Sequence, residues 1–258
     1  MLVKKDLLNT IRNPMLLTMR IVTTVFISIF TSGVFYRFNG DFSYGTNWFS
    51  LTGFMFFMAI GTMMSALAPI TMVFPAERDV FLKESGSKLY STFSYFLSRN
   101  VVELPAAVIF PLVQTLIMYW FVGLSSTVQQ FWIYYLVTYL ITLNGSSLGL
   151  MIGSIILDQK SVGAVTPCVL LPVILFSGFF KNTANLPVWI GWIQYISPIK
   201  YGFSAWMQNE VEYASSSALD TLNLDTGLWM NVYLLAVLAV GFRIVSLIFL
   251  ELLKSRQE

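Results

Sequence analysis

Six apolar runs, at residues 17–36, 48–73, 93–122, 131–156, 162–180 and 228–250, leave this chain few ways to fold. A helix that crosses a bilayer needs roughly 17–25 predominantly apolar residues, and each run meets that length. Only 11% of the chain is charged, against about 25% in an ordinary soluble domain. Inside hydrocarbon every backbone N–H and C=O must find its partner within the segment, so runs of this kind read as helices. The expected fold is an all-α, multi-pass integral membrane protein with six transmembrane helices.

Charge is concentrated between the second and third runs, in PITMVFPAERDVFLKESGSKLYSTFSYFLSRNVVELP at 69–105. Glu77, Arg78, Asp79, Lys83, Glu84, Lys88, Arg99 and Glu103 all fall here. Each would cost on the order of 2.5–3.5 kcal/mol in hydrocarbon, so the segment belongs in water or against a soluble partner. Residues 77–85 form a short amphipathic stretch in which Val80 and Phe81 offer an apolar edge between charged flanks. A helix that short is unstable alone and needs something to hold it. Two readings fit: a solvated loop between two spans, or a docking element that passes force between a soluble engine and the membrane helices.

Residues 1–16 carry Leu2, Leu7, Leu8 and Ile11 at helical spacing, with Lys4, Lys5 and Arg12 on the other side. This is an amphipathic helix lying along the membrane surface, or a basic flank that orients the first span. A seventh apolar candidate, 186–206, is broken by Gln194, Pro198 and Lys200. With six spans, Lys4, Lys5, Arg12, Arg20, Arg78, Lys83, Lys88, Arg99, Lys160, Lys254 and Arg256 share one side, and only Arg37, Lys181 and Lys200 face the other. The positive-inside rule makes the crowded side cytoplasmic, with both termini there. Residues 186–206 then form an extracellular re-entrant helical hairpin, anchored by Trp189, Trp192, Tyr195, Tyr201 and Trp206.

Several function classes drop out. The chain has no His and a single Cys, Cys168, so no His/Cys metal cluster, no Cys–His or Ser–His couple and no internal disulfide is expected. No catalytic residue is assigned. A net charge of +2 is too small to suggest a nucleic-acid partner. Gly145, Gly149 and Gly153 repeat every four residues, which permits close helix approach. Pro167 and Pro172 interrupt the fifth run, and beyond them Ser177-Gly178-Phe179-Phe180 sets a bulky pair after a flexible joint. Arg243, inside the last run, either faces the bundle or snorkels toward the cytosol.

Ordered matches along nearly the whole length carry a resemblance. They are RNP followed by Arg20, FPAERDVFLKE with YSTFSYFLSRNVVELP, SGFFKN with LPVWIGWIQYISPIKYGF, and Asn209-Glu210. In this order the chain resembles the ABC-2 type membrane domain of the G subfamily of ATP-binding cassette half-transporters, the white and breast-cancer-resistance-protein type. The resemblance implies that 1–16 is a connecting helix and 77–85 a cytosolic coupling helix, both resting on a nucleotide-binding domain. Arg12, Glu77, Arg78, Phe81 and Glu84 would make that contact. Two half-transporters, alike or different, would pair so that the second and fifth spans line a central cavity. Met58, Thr62, Ser65, Leu171 and Ile174 would face it, and Phe179 and Phe180 would close it from outside.

The chain itself contains no GxxxxGK[ST], ABC signature or Walker B strand, so ATP and Mg belong to a nucleotide-binding domain placed upstream or on a separate chain. A fragment, an alternative product and a stand-alone subunit all fit that pattern. The expected function is that of the membrane part of an ATP-driven exporter in a plasma or intracellular membrane. It would move a lipophilic or flat aromatic small molecule. The alternatives are a scaffold that pairs with half-transporters without transporting, or a channel or secondary transporter. For the last, a proton relay would call for intramembrane Asp, Glu or His, and only Glu103, near the cytosolic end of the third run, comes close.

Overall fold

A computed structural model describes residues 14–36, 46–86, 91–124, 127–180, 187–211 and 226–255. The described elements are helices: α1 (Pro14–Val34), α2 (Thr46–Gly86), α3 (Thr92–Val122), α4 (Val128–Ile155), α5 (Gln159–Leu175), α6 (Val188–Gly191), a 3-10 turn at Trp192–Ile196, α7 (Pro198–Val211) and α8 (Leu228–Ser255). Four of them, within α2, α3, α4 and α8, are long and apolar enough to cross a membrane by length and composition. Two shorter apolar helices, Thr18–Val34 and Lys160–Leu175, accompany them.

The bundle is built around α4. Of its most apolar window 83% is buried, against 22% in α8. The helix can be enclosed because its polar side chains satisfy themselves: Thr138, Thr142, Ser147 and Ser154 each donate to the carbonyl four residues back. Its glycines then admit α2. A Cβ at Gly145 would meet the Met63 carbonyl oxygen at 2.5 Å, one at Gly149 the Ile70 side chain at 3.1 Å, and one at Gly153 the Phe74 ring at 2.7 Å. Both numberings rise together, so α2 and α4 run parallel. Asn144 donates to the Leu235 carbonyl and Ser154 pairs with Ser246, so α8 is parallel to them as well.

The remaining long helices run the other way. Gln114 donates to Thr62 while Arg99 pairs with Glu77, which sets α3 antiparallel to α2. Phe35 contacts Phe54 and Ile27 packs at Gly61, which sets α1 antiparallel to α2.

Two boundaries differ from the sequence expectation. The second span and the segment 77–85 are one continuous helix, α2, of 41 residues. At 1.5 Å per residue it is about 62 Å long, twice the roughly 30 Å hydrocarbon core. Ile70, Phe74, Arg78 and Phe81 are all buried, so the inward stripe of the span carries on past Pro75 and holds the extension. The fifth run, by contrast, is helical only to Leu175. The Phe176 amide bonds the Pro172 carbonyl, Ser177 bonds Ile174, and Gly178 at φ 93° turns the chain back.

At the end where α4 begins, α7 packs antiparallel on it: Asn209 meets Gln130, the Trp206 ring stacks on Tyr134 at 4.9 Å, and Gly202 abuts Ile141. Ser197 and Pro198 start this helix, a hydroxyl cap followed by a proline at the first helical position. Its 14 residues span about 21 Å, short of the hydrocarbon core. Trp189, Trp192 and Tyr195 are exposed, as interfacial anchors would be, but Tyr201 and Trp206 are buried in the bundle rather than anchoring at its surface.

Candidate functional site

The charged end of the bundle is the candidate coupling site. Of the five residues the resemblance assigns to it, Arg12 lies outside the described residues. Arg78 and Phe81 turn inward. Phe81 stacks on Tyr95 at 4.4 Å within a cluster that includes Ile70, Phe74, Phe96, Leu150 and Leu250. Arg78 is 1% exposed and donates through Nη1 to the Gly153 and Ile156 carbonyls, at 2.9 and 2.6 Å. Through Nη2 it donates to Leu157 at 2.7 Å and to Asp79 at 2.8 Å.

Glu77 is half-buried and pairs with Arg99 at 3.1 Å, while Glu84 is half-buried. Asp79, Val80 and Lys83 face outward. Counting down from Ile70 in helical steps of four, four and three would have found this division, because it assigns 74, 78 and 81 to the inner face.

Next to this arm, Asp158 caps α5. Its carboxylate accepts from the Ser161 hydroxyl and from the Lys160 and Ser161 amides, which hold it below the usual carboxylate range. Deeper in the bundle, Arg20 of α1 and Glu103 of α3 pair at 3.5 Å, both buried, with the guanidinium over the Phe110 ring at 5.2 Å.

The five cavity positions are not brought onto one open face. Met58 and Thr62 are fully enclosed and Ser65 nearly so; Thr62 accepts from Gln114 at 2.7 Å, and Ser65 bonds the Thr62 carbonyl. The outward stripe of α2 is instead Phe57, Ile60, Met64, Ala68 and Met72. On α5, Leu171 is 56% exposed and Ile174 half-buried. Both helix faces were read from motif position alone, and the α2 assignment falls on the bundle side.

Phe179 and Phe180 separate. Phe179 stacks on Phe56 at 4.3 Å and meets Phe203 of α7 edge-on at 6.2 Å, so it is packed within the chain. Phe180 is 60% exposed beside them.

No residue pattern pointed to two further features. An open pocket of about 350 Å³ lies between the ends of α3 and α4, lined by Tyr119, Trp120, Leu124, Thr127, Val128 and Phe131. A polar knot ties α4, α7 and α8: Gln130 donates to the Asn209 carbonyl and Asn231 donates to Gln208 and to the Thr226 carbonyl, with Glu210 buried beside them.

Residues 1–211 match the family model described as ABC-2 type transporter. The chain is 29% identical to "Protein white" of Drosophila melanogaster over 97% of its length, covering 39% of that protein. It is 30% identical to "ABC transporter ATP-binding protein/permease wht-1" of Caenorhabditis elegans over 79% of its length, covering 30% of that protein. It is 31% identical to "ABC transporter G family member 18" of Arabidopsis thaliana over 82%, covering 29%. The chain thus spans about two-fifths or less of these relatives. Its family match, its helical bundle and these G-family relatives agree: the chain belongs to the ABC-2 type transporter membrane-domain family.

Proposed function

We propose that this chain is the membrane part of an ATP-driven exporter, working as a dimer with nucleotide-binding domains that supply ATP and Mg. The observation that carries this reading is the extension of α2. The 13 residues beyond the apolar run 48–73, about 20 Å of helix, bear Asp79, Val80 and Lys83 outward. A lever of that kind suits contact with a soluble engine. The wht-1 relative, whose name joins an ATP-binding protein to a permease, supports the pairing.

Six crossings are the topology this bundle favours. Parallel α4 and α8 need an odd number of crossings between them, and a single crossing by α5 supplies it. The short α7 is consistent with a hairpin that does not cross. The charge-rich end of α2 is then cytosolic, and the substrate enters a dimer cavity bordered by the open stripes of α2 and α5. Those stripes are apolar and thioether-bearing at Met64 and Met72, which favours a lipophilic or flat aromatic molecule. Glu103 is engaged by Arg20 and so is poorly placed to relay protons, which weighs against a secondary transporter.

The test is uptake of a lipophilic fluorescent dye into inside-out vesicles holding this chain with a G-family nucleotide-binding domain. Uptake is expected with ATP and absent without it. Uptake driven by a proton gradient alone, or none under either condition, would overturn the reading.

A further inference from the structure

Arg78 lies 75 residues before Gly153, the first of the three α4-terminal carbonyls it holds, yet it joins the cytosolic arm of α2 to the place where α4 ends and α5 begins. The last carbonyls of a helix have no intrahelical partners and form the negative end of its dipole. Here the Gly153 carbonyl in the last turn, that of the cap residue Ile156 and that of Leu157 just beyond it all accept from one guanidinium. Asp79 engages the Nε and Nη2 of the same group, at 3.2 and 2.8 Å, from the solvent side. The residue after Leu157 is Asp158, the cap of α5, so the guanidinium is bound one residue from the start of the next helix.

We propose that Arg78 is a positioning residue that makes the α4–α5 turn move as one body with the arm of α2. The claim rests on the reading that an ATPase docks at this end of the bundle. Contact on Asp79, Val80 or Lys83 would reach α5 directly through this guanidinium. The covalent route instead passes through all of α3 and α4. Behind the joint, the close approaches at Gly145, Gly149 and Gly153 keep α2 and α4 in register, so the arm cannot swing against α4 without opening that seam. The guanidinium is specific to the task. A lysine ammonium is a point charge on a flexible stem and cannot hold three divergent carbonyls together with a carboxylate.

Two measurements on the chain assembled with its nucleotide-binding domain test the joint. The first places spin labels at Lys83→Cys and Lys160→Cys in a Cys168→Ser background, without nucleotide, and reads the distance distribution between them. With Arg78 intact the distribution is expected to be narrow; with Arg78→Lys it should broaden or shift. An unchanged distribution would overturn the joint, whether or not the assembly transports.

The second measures dye transported per ATP hydrolysed, normalised to folded protein. Arg78→Lys is expected to keep hydrolysing ATP while transport per ATP falls about tenfold, the size of a modest coupling free energy. A residue needed only for folding would lower folded yield and leave that ratio unchanged, which would overturn the coupling role. Loss of ATP-dependent transport in the wild-type assembly would strike the proposed function instead, and the spin-label result would stand apart from it.

Discussion

The backbone of Gly145 lies so close to Met63 that a Cβ on the glycine would stand 2.5 Å from the Met63 carbonyl oxygen. Backbone carbonyls cannot move aside as the end of a side chain can. Gly145→Ala should therefore force α4 away from α2 and destabilise the bundle by about 1–3 kcal/mol, the usual cost of overpacking. Gly163→Ala, where a Cβ would meet no neighbouring group within 4 Å, is the control and should hold stability or raise it by up to about 1 kcal/mol, as Ala does over Gly inside a helix. Thermal unfolding of the purified protein in detergent checks both. Equal melting temperatures for the two variants would contradict close packing at this seam.

Glu77 pairs with Arg99 across α2 and α3, which separates two roles for its charge. Glu77→Lys sets a cation against Arg99 and should lower stability by less than about 1 kcal/mol, since the pair is partly exposed. The exchange Glu77→Arg with Arg99→Glu restores opposite charges and should recover that loss. If Glu77 also meets the nucleotide-binding domain, the exchanged protein will fold normally yet transport poorly. Full recovery of ATP-driven dye uptake in the exchanged protein would confine Glu77 to the α2–α3 pair.

The aromatic pair after Gly178 has one packed and one open member. Phe179→Ala removes a ring stacked on Phe56 and is expected to cost about 3–5 kcal/mol, as large aromatic truncations do. Phe180→Ala loses little buried area and should leave the melting temperature nearly unchanged. If Phe180 closes the cavity in the dimer, its removal should raise basal ATP turnover per folded dimer and weaken stimulation by substrate. Unchanged turnover and stimulation would remove it from the gate.

The long apolar runs made the bundle legible from residues alone, because length and hydropathy decide what can cross hydrocarbon. Gly145, Gly149 and Gly153 were legible too, since a four-residue repeat of small residues places them on one helix face. Face assignment on α2 was not. Thr62 and Ser65 looked like polar positions lining a cavity, yet Thr62 finds Gln114 and Ser65 bonds back to its own helix. In a helix apolar on every side, periodicity carries no sign of which face meets protein.

The role of Arg78 was hidden for a related reason. Amid seven other charges it read as surface, and only the three-dimensional position of the α4 terminus gives it partners. Gln194 and Lys200, which interrupt the hairpin in sequence, turn out to bond each other at 2.7 Å. Paired in this way, they can lie at an apolar boundary where each alone would be costly.

Single cysteines in a Cys168→Ser background, probed with an impermeant maleimide, test the arrangement most directly. Trp189, at the start of the hairpin, and Trp229, at the start of α8, are both exposed, as is Lys160 at the start of α5. Trp189→Cys and Trp229→Cys should label on intact cells, and Lys160→Cys only after permeabilisation. Labelling of Trp189→Cys and Trp229→Cys from opposite sides, or of Lys160→Cys together with Trp189→Cys from outside, would contradict a six-span bundle whose charged arm faces the cytosol.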